Sequence, residues 1–228
     1  MASKVDIYVE QGVRAHAGGA VVAWTFSLPH WGHCGQGPDE RSALAALAGS
    51  GGLDRDAMVV AERIEGVEAA FQRDRRPAAP EETARTIEIL KAAREDTIRL
   101  VRSATVAELD WRDPAAASER APLAGTGPSW QTLRQAAWHL CDTESRVYLA
   151  ALGEAPPRRS LDLLTELERS HQHVLTTLAC LRRGRSRSLG TETWTTVKVL
   201  RRLAWHERAE LIPMHNLLAR ARTAALNY

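Results

Sequence analysis

From about residue 194 to about residue 222 the chain carries one long helical pattern with an imidazole and a carboxylate inside its apolar stripe. Val199, Leu203, His206, Glu210 and Leu217 recur at helical intervals, so at 3.6 residues per turn they share one face. His206 and Glu210 stand four apart on that face, the spacing of two metal ligands on one helix. An ionisable pair in an apolar seam costs free energy unless something charged or hydrogen-bonding meets it. A divalent cation would satisfy both groups at once, and ordinary core hydrogen bonds are the alternative. Further along, Pro213 has no N–H for the carbonyl of Ala209, which predicts a bend after Glu210.

The rest of the chain has to surround this helix. At 228 residues and 44% hydrophobic content it can form one large domain or two small ones with a buried core. Net charge is only +2, so nothing in the balance argues for nucleic acid or a membrane surface as partner, and a near-neutral charge counts against nucleic acid; lysine occurs only at Lys4, Lys91 and Lys198, a bias from which no partner is read. Cys34, Cys141 and Cys180 are odd in number and widely spaced, with no C-x-x-C pair, which fits a reducing compartment. The N-terminal residues lack an apolar signal core and no apolar run approaches membrane-spanning length, so a cytoplasmic location is expected.

Before the helices comes a smaller α+β unit, expected over residues 1–76. Val5, Ile7 and Val9 alternate with Asp6 and Glu10 as in a half-buried strand, and residues 20–27 form a second β-favouring run. Pro38-Asp39-Glu40 opens a short helix containing Leu44 and Leu47, glycines 49, 51 and 52 close it, and a third strand follows at about 58–64. The order is ββαβ. The run Trp24-Thr25-Phe26-Ser27-Leu28-Pro29-His30-Trp31-Gly32-His33-Cys34-Gly35-Gln36-Gly37, with Asp39, Glu40, Ala43 and Leu44 after it, resembles the small HicB-like domain. His30, His33 and Cys34 are metal-ligand types, but their spacing matches no closed zinc motif, and a glycine-rich strand exit explains them better. Residues 72–80, charged and then proline-rich, read as a linker.

Four helical segments are expected over 80–228. The first, about 80–105, begins with Glu81 and Glu82 and spaces Ile87, Leu90, Ile98 and Val101 helically. A long connection at 111–128 should cross the surface. Ser129 is the expected cap of the second helix, whose seam runs Leu133, Ala137, Leu140, Glu144, Val147 and Ala151 before Gly153. The third, about 160–183, uses Leu164, Leu167, Val174, Leu178 and Leu181, and the fourth is the helix described first. One apolar stripe per helix predicts a four-helix bundle, making the whole chain α+β.

Trp130-Gln131-Thr132-Leu133-Arg134, Ala137-Trp138-His139-Leu140, Asp142-Thr143-Glu144-Ser145-Arg146 and, later, Leu200-Arg201-Arg202-Leu203-Ala204-Trp205-His206-Glu207-Arg208 resemble the second and fourth helices of the DinB-like metalloprotein superfamily. The resemblance covers about residues 80–222. It implies one divalent metal held by a His of the second helix and two residues, four apart, of the fourth; these positions are His139, His206 and Glu210. Many relatives have a second histidine where this chain has Glu210, although relatives that act on low-molecular-weight thiols use a carboxylate. An N2O donor set admits zinc, the first expectation, and also nickel, iron or manganese. Three protein ligands leave coordination positions open, as a catalytic ion requires. The resemblance therefore implies transfer, isomerisation or hydrolysis on a small-molecule substrate, with a low-molecular-weight thiol as cosubstrate, and a homodimer. A non-enzymatic binding or self-resistance protein and a regulatory partner acting through the HicB-like segment are the alternatives.

Asp142 and Glu144, three and five residues beyond His139, are the candidate catalytic carboxylates, able to move a proton or orient a ligand. Their alternative is an Asp facing solvent and a seam Glu paired with an arginine. Glu207, with Arg201, Arg202 and Arg208, is expected on an exposed charged face. Trp130, Trp138, Trp194 and Trp205 are expected to pack, and the basic residues of 182–187 to form a solvated loop.

Overall fold

The alternating Val5, Ile7 and Val9 form β1 (Val5–Val13), the strand around which the N-terminal sheet is built. In the computed structural model, which describes residues 4–13, 20–66, 70–114 and 130–226, β1 pairs antiparallel with β2 (Ala20–Thr25) and parallel with β4 (Met58–Glu65). Beyond β2 lies β3 (Cys34–Gly37), giving the order β3-β2-β1-β4. The unit is βββαβ, one strand more than the expected ββαβ. Two glycines in four residues hide β3 from a propensity reading, and packing explains them. A Cβ on Gly35 would stand 2.1 Å from the carbonyl oxygen of Ala43 and the amide nitrogen of Leu47, because α1 (Glu40–Gly51) lies directly on this strand. Gly35→Ala is expected to destabilise the protein by about 3 kcal/mol in a urea titration, the upper end of ordinary overpacking, because backbone has to yield. An unchanged midpoint would contradict that close approach. Asp39 caps α1 by accepting the Ser42 N–H at 2.7 Å, and Gly52 ends it at φ 62°.

One face of the sheet buries Ile7, Val9 and Ala23 against Ala43 and Leu47 of α1. The other face carries Glu10, Val22 and Trp24 toward the helices. Here the expected linker is corrected. Phe71 and Asp74 are fully buried, Phe71 beside Trp24, and the Asp74 carboxylate accepts from Arg201 Nε at 3.0 Å and Nη2 at 2.9 Å. Charge patterning alone could not reveal that this segment is wedged between sheet and helix.

The remaining described residues are mainly helical: α2 (Pro80–Ser103), α3 (Val106–Asp110), α4 (Leu133–Asp142), α5 (Leu149–Ala151), α6 (Leu163–Cys180) and α7 (Thr196–Ala225). α2 packs on α6 and α7, and α4 packs on the same two helices. Their starts follow local chemistry. Glu82 accepts the Ala79 N–H at 2.8 Å, Asp162 accepts from Thr165, and Thr195 accepts from Lys198. Thr132 caps α4, accepting from Gln135 at 3.1 Å; the expected cap, Ser129, and most of the 111–128 connection lie outside the described residues.

Between α4 and α5 the chain makes a π-helical turn, Thr143–Tyr148, in which the Leu149 N–H reaches back five residues to the Glu144 carbonyl. The expected seam holds at Leu133, Ala137, Leu140, Glu144 and Ala151 and fails at Val147, which is 51% exposed while Tyr148 takes the inward place. A wider turn rotates less per residue, which a period of 3.6 cannot anticipate. A short hairpin, β5 (Ser186–Leu189) and β6 (Glu192–Thr195), also went unforeseen between α6 and α7. Pro213 sits inside α7, which persists to Ala225. No helix among the described residues is long and apolar enough to cross a membrane.

Candidate metal centre

α7 lies between the sheet and the other helices, so more than one of its faces is covered. The stripe Val199, Leu203, His206, Glu210 and Leu217 is buried throughout, His206 at 3% and Glu210 at 5% exposure. α4 crosses this face and brings His139 to it. His139 Nε2 lies 3.1 Å from His206 Nε2 and 3.9 Å from Glu210 Oε1. These three side chains offer ligand atoms all within 4.8 Å of one another, and they are the only such group of His, Cys, Asp and Glu among the described residues. Donors bound to one ion at about 2.0–2.1 Å stand about 3.3 Å apart around a tetrahedron. The two separations of 3.1 and 3.9 Å bracket that spacing.

Electrostatics favours the same use. Burial pushes both imidazoles down to about 4, so each is neutral near pH 7 with a lone pair to offer. A single Nε2–H shared between them would be an ordinary hydrogen bond. That explains the histidine pair but gives no reason for a carboxylate to converge on it.

No family model, curated protein or solved structure matches the chain. The reading of the site therefore rests on its own residues.

Trp130 covers the centre from outside. Its ring lies 4.4 Å from the His139 ring, and its Nε1–H donates to Glu210 Oε2 at 3.1 Å. This tryptophan, assigned to packing from the sequence, also leaves Oε1 as the Glu210 oxygen turned toward the histidines. Trp130→Phe keeps an aromatic stack and loses the donor. It is expected to lower metal affinity about 10-fold, measured by competition with a chromogenic chelator, since removing a ligand's hydrogen-bond partner typically has that effect. Unchanged affinity would remove Trp130 from the site.

The two candidate catalytic carboxylates part company. Asp142 is 35% exposed in its side chain and pairs with Arg146 at 3.3 Å and Arg159 at 3.2 Å. Glu144 is fully buried on the π-helical turn. Its Oε2 accepts from Arg94 Nη2 at 2.8 Å, and its Oε1 lies 3.6 Å from His206 Nδ1. Neither joins the three candidate ligands.

Glu207 corrects the sequence reading. Instead of an exposed charged face it has 0% exposure and accepts a hydrogen bond from Arg94 Nε. Arg201 and Arg202 are buried as well, directed at Asp74 and Glu10, and Arg208 donates to the Trp31 carbonyl at 2.7 Å. The sheet covers the side of α7 that a one-stripe reading leaves wet.

Arg94 is the residue the sequence reading missed. It is 1% exposed, joins Glu144 to Glu207, and donates to Ser170 Oγ at 3.1 Å. A signal existed: Arg94 lies four residues after Leu90 and seven before Val101, on the apolar stripe of its helix. Burial pushes Glu144 up to about 7 and Glu207 up to about 8, and the Arg94 charge opposes both rises.

His30, His33 and Cys34 form no ligand cluster. His30 Nδ1 meets the Gly51 carbonyl at 2.8 Å, His33 lies 3.3 Å from Arg208, and burial pushes the Cys34 thiol up to about 12.

Proposed function

We propose that this chain is a DinB-like metalloenzyme: its long helices form a four-helix bundle that holds one divalent ion through His139, His206 and Glu210, and it acts on a small molecule. The observation that carries the reading is the convergence of two neutral imidazoles and one carboxylate at a buried contact between α4 and α7. Two nitrogens and one oxygen suit zinc and also admit nickel, iron or manganese.

A divalent ion with open positions polarises a carbonyl, or lowers the pKa of water or a thiol so that its anion is available at neutral pH. The chain supplies the rest. His139 and His206 present nitrogen lone pairs, and Glu210 supplies the negative charge that favours a cation. Trp130 fixes the Glu210 carboxylate through Oε2. His139 is the accessible member, its side chain 28% exposed against 6% for Glu210, so a substrate approaches from its side, past the Trp130 ring. Transfer, isomerisation and hydrolysis all suit such a centre, with a low-molecular-weight thiol as the cosubstrate first tested. The N-terminal sheet, proposed as a HicB-like unit, braces α7 through the Arg202–Glu10 pair, and the segment that follows it does so through Arg201–Asp74.

A screen of thiol conjugation and of ester and amide hydrolysis, run before and after chelation, tests the enzymatic reading. Turnover that disappears with chelator and returns with a divalent ion is expected. Metal-loaded protein without chelator-sensitive turnover in any of these reactions would contradict it.

A further inference from the structure

Behind the ligand face of His206 lies a buried ionic cluster that the three-ligand reading does not use. Arg94, Glu144 and Glu207 have at most 1% side-chain exposure, although taking three charged groups out of water is costly. Arg94 uses every edge of its guanidinium: Nε to Glu207, Nη1 to Ser170 Oγ and the Leu167 carbonyl, Nη2 to Glu144 Oε2. Glu144 is thus held by one oxygen only. Its other oxygen, Oε1, has no hydrogen-bond donor, and His206 Nδ1, 3.6 Å away, is likewise without a partner. Both atoms are buried, and two such atoms facing each other just beyond bonding distance are a donor and acceptor awaiting a small ring rotation.

We infer that Glu144 is a positioning residue for His206: it accepts a proton-bearing Nδ1, which fixes the imidazole in the tautomer whose Nε2 lone pair faces His139 and Glu210, while Arg94, itself anchored by Glu207, holds Glu144 in place. The inference rests on the proposed metal centre for its purpose and on the buried Glu144–His206 contact for its evidence. A neutral imidazole has one donor and one acceptor nitrogen, so whatever engages Nδ1 decides what Nε2 can offer. In its ionised form, which the Arg94 guanidinium favours, a carboxylate accepts only and leaves a single choice. Tyr148 and Trp205 flank the ring at 5.6 and 6.1 Å between centroids, which limits its other motions. Glu144 stands at the start of the π-helical turn, four residues after Leu140 and so on the same buried face of the helix.

Glu144→Gln discriminates this role from simple packing. The glutamine oxygen can still accept from Arg94, but its NH2 group then faces Nδ1 and favours the opposite tautomer, with the proton on Nε2. Zinc affinity, measured by competition with a chromogenic chelator, is expected to fall about 10- to 100-fold, the usual range for losing a ligand's hydrogen-bond partner. Nitrogen-15 NMR of the histidine rings in metal-free protein should show His206 protonated at Nδ1 in the wild type and at Nε2 in Glu144→Gln. Zinc bound by the wild type and equally by a folded Glu144→Gln would overturn the inference and leave the metal centre standing. A wild type that binds no zinc would remove the proposed centre, yet the His206 tautomer would still be read. If Glu144→Gln does not fold, the wild-type spectrum decides, and protonation at Nε2 overturns the inference.

Discussion

Chelation is expected to lower the melting temperature by roughly 10 °C. The proposed ligands are assembled only when α4 and α7 are docked, so an ion that binds there stabilises the folded state alone. Free ion at about 1,000 times its Kd adds about 4 kcal/mol. For a chain of this size each kcal/mol moves Tm by roughly 2–4 °C. Without the ion, the two imidazoles share one hydrogen bond at 3.1 Å and the Glu210 carboxylate keeps its bond from Trp130, which is less than an ion bound to all three would supply. Differential scanning calorimetry with and without chelator measures the difference, and identical melting curves would count against an ion at this place.

Arg94→Met is expected to be the most damaging single substitution in the helices. Methionine fills part of the space but leaves Glu144 and Glu207 buried without their shared cation. Breaking a buried pair from one side costs about 3–5 kcal/mol, because the remaining charge is stranded. Across this chain's length that corresponds to a loss of roughly 6–20 °C in Tm. Adding Glu207→Gln to Arg94→Met should recover part of the loss, since it removes one stranded carboxylate; additive destabilisation would contradict the coupling. Urea titrations of the two variants measure this, and a loss below about 1 kcal/mol for Arg94→Met would mean the cluster contributes little.

What could be read in advance follows physical lines. The stripe from Val199 to Leu217 was legible because a helix repeats at 3.6 residues and each of its members is buried. The pairing of His206 with Glu210 came from the same period. His139 lies on another helix, and only the resemblance brought it to them. Glu207 and the arginines of α7 were misplaced because one apolar stripe was assumed to leave the opposite face wet, whereas the N-terminal sheet and the 70–79 segment cover it. Arg94 sat at a readable position on α2, but its partners come from elements about fifty and more than a hundred residues away, Glu144 and Glu207, and no local pattern links them. The π-helical turn at Thr143–Tyr148 and the β3 strand carry no propensity signature, the first because it is an irregular hydrogen-bond step, the second because its glycines are dictated by the approach of α1.

The most direct test is elemental analysis of the wild-type protein beside Glu210→Gln, a substitution that keeps size and hydrogen bonding and removes the anion. One equivalent of a divalent metal per wild-type chain and a marked loss in a folded Glu210→Gln are the predicted result. Metal-free wild type after incubation with zinc, or equal metal content in the two proteins, would contradict a centre built on His139, His206 and Glu210.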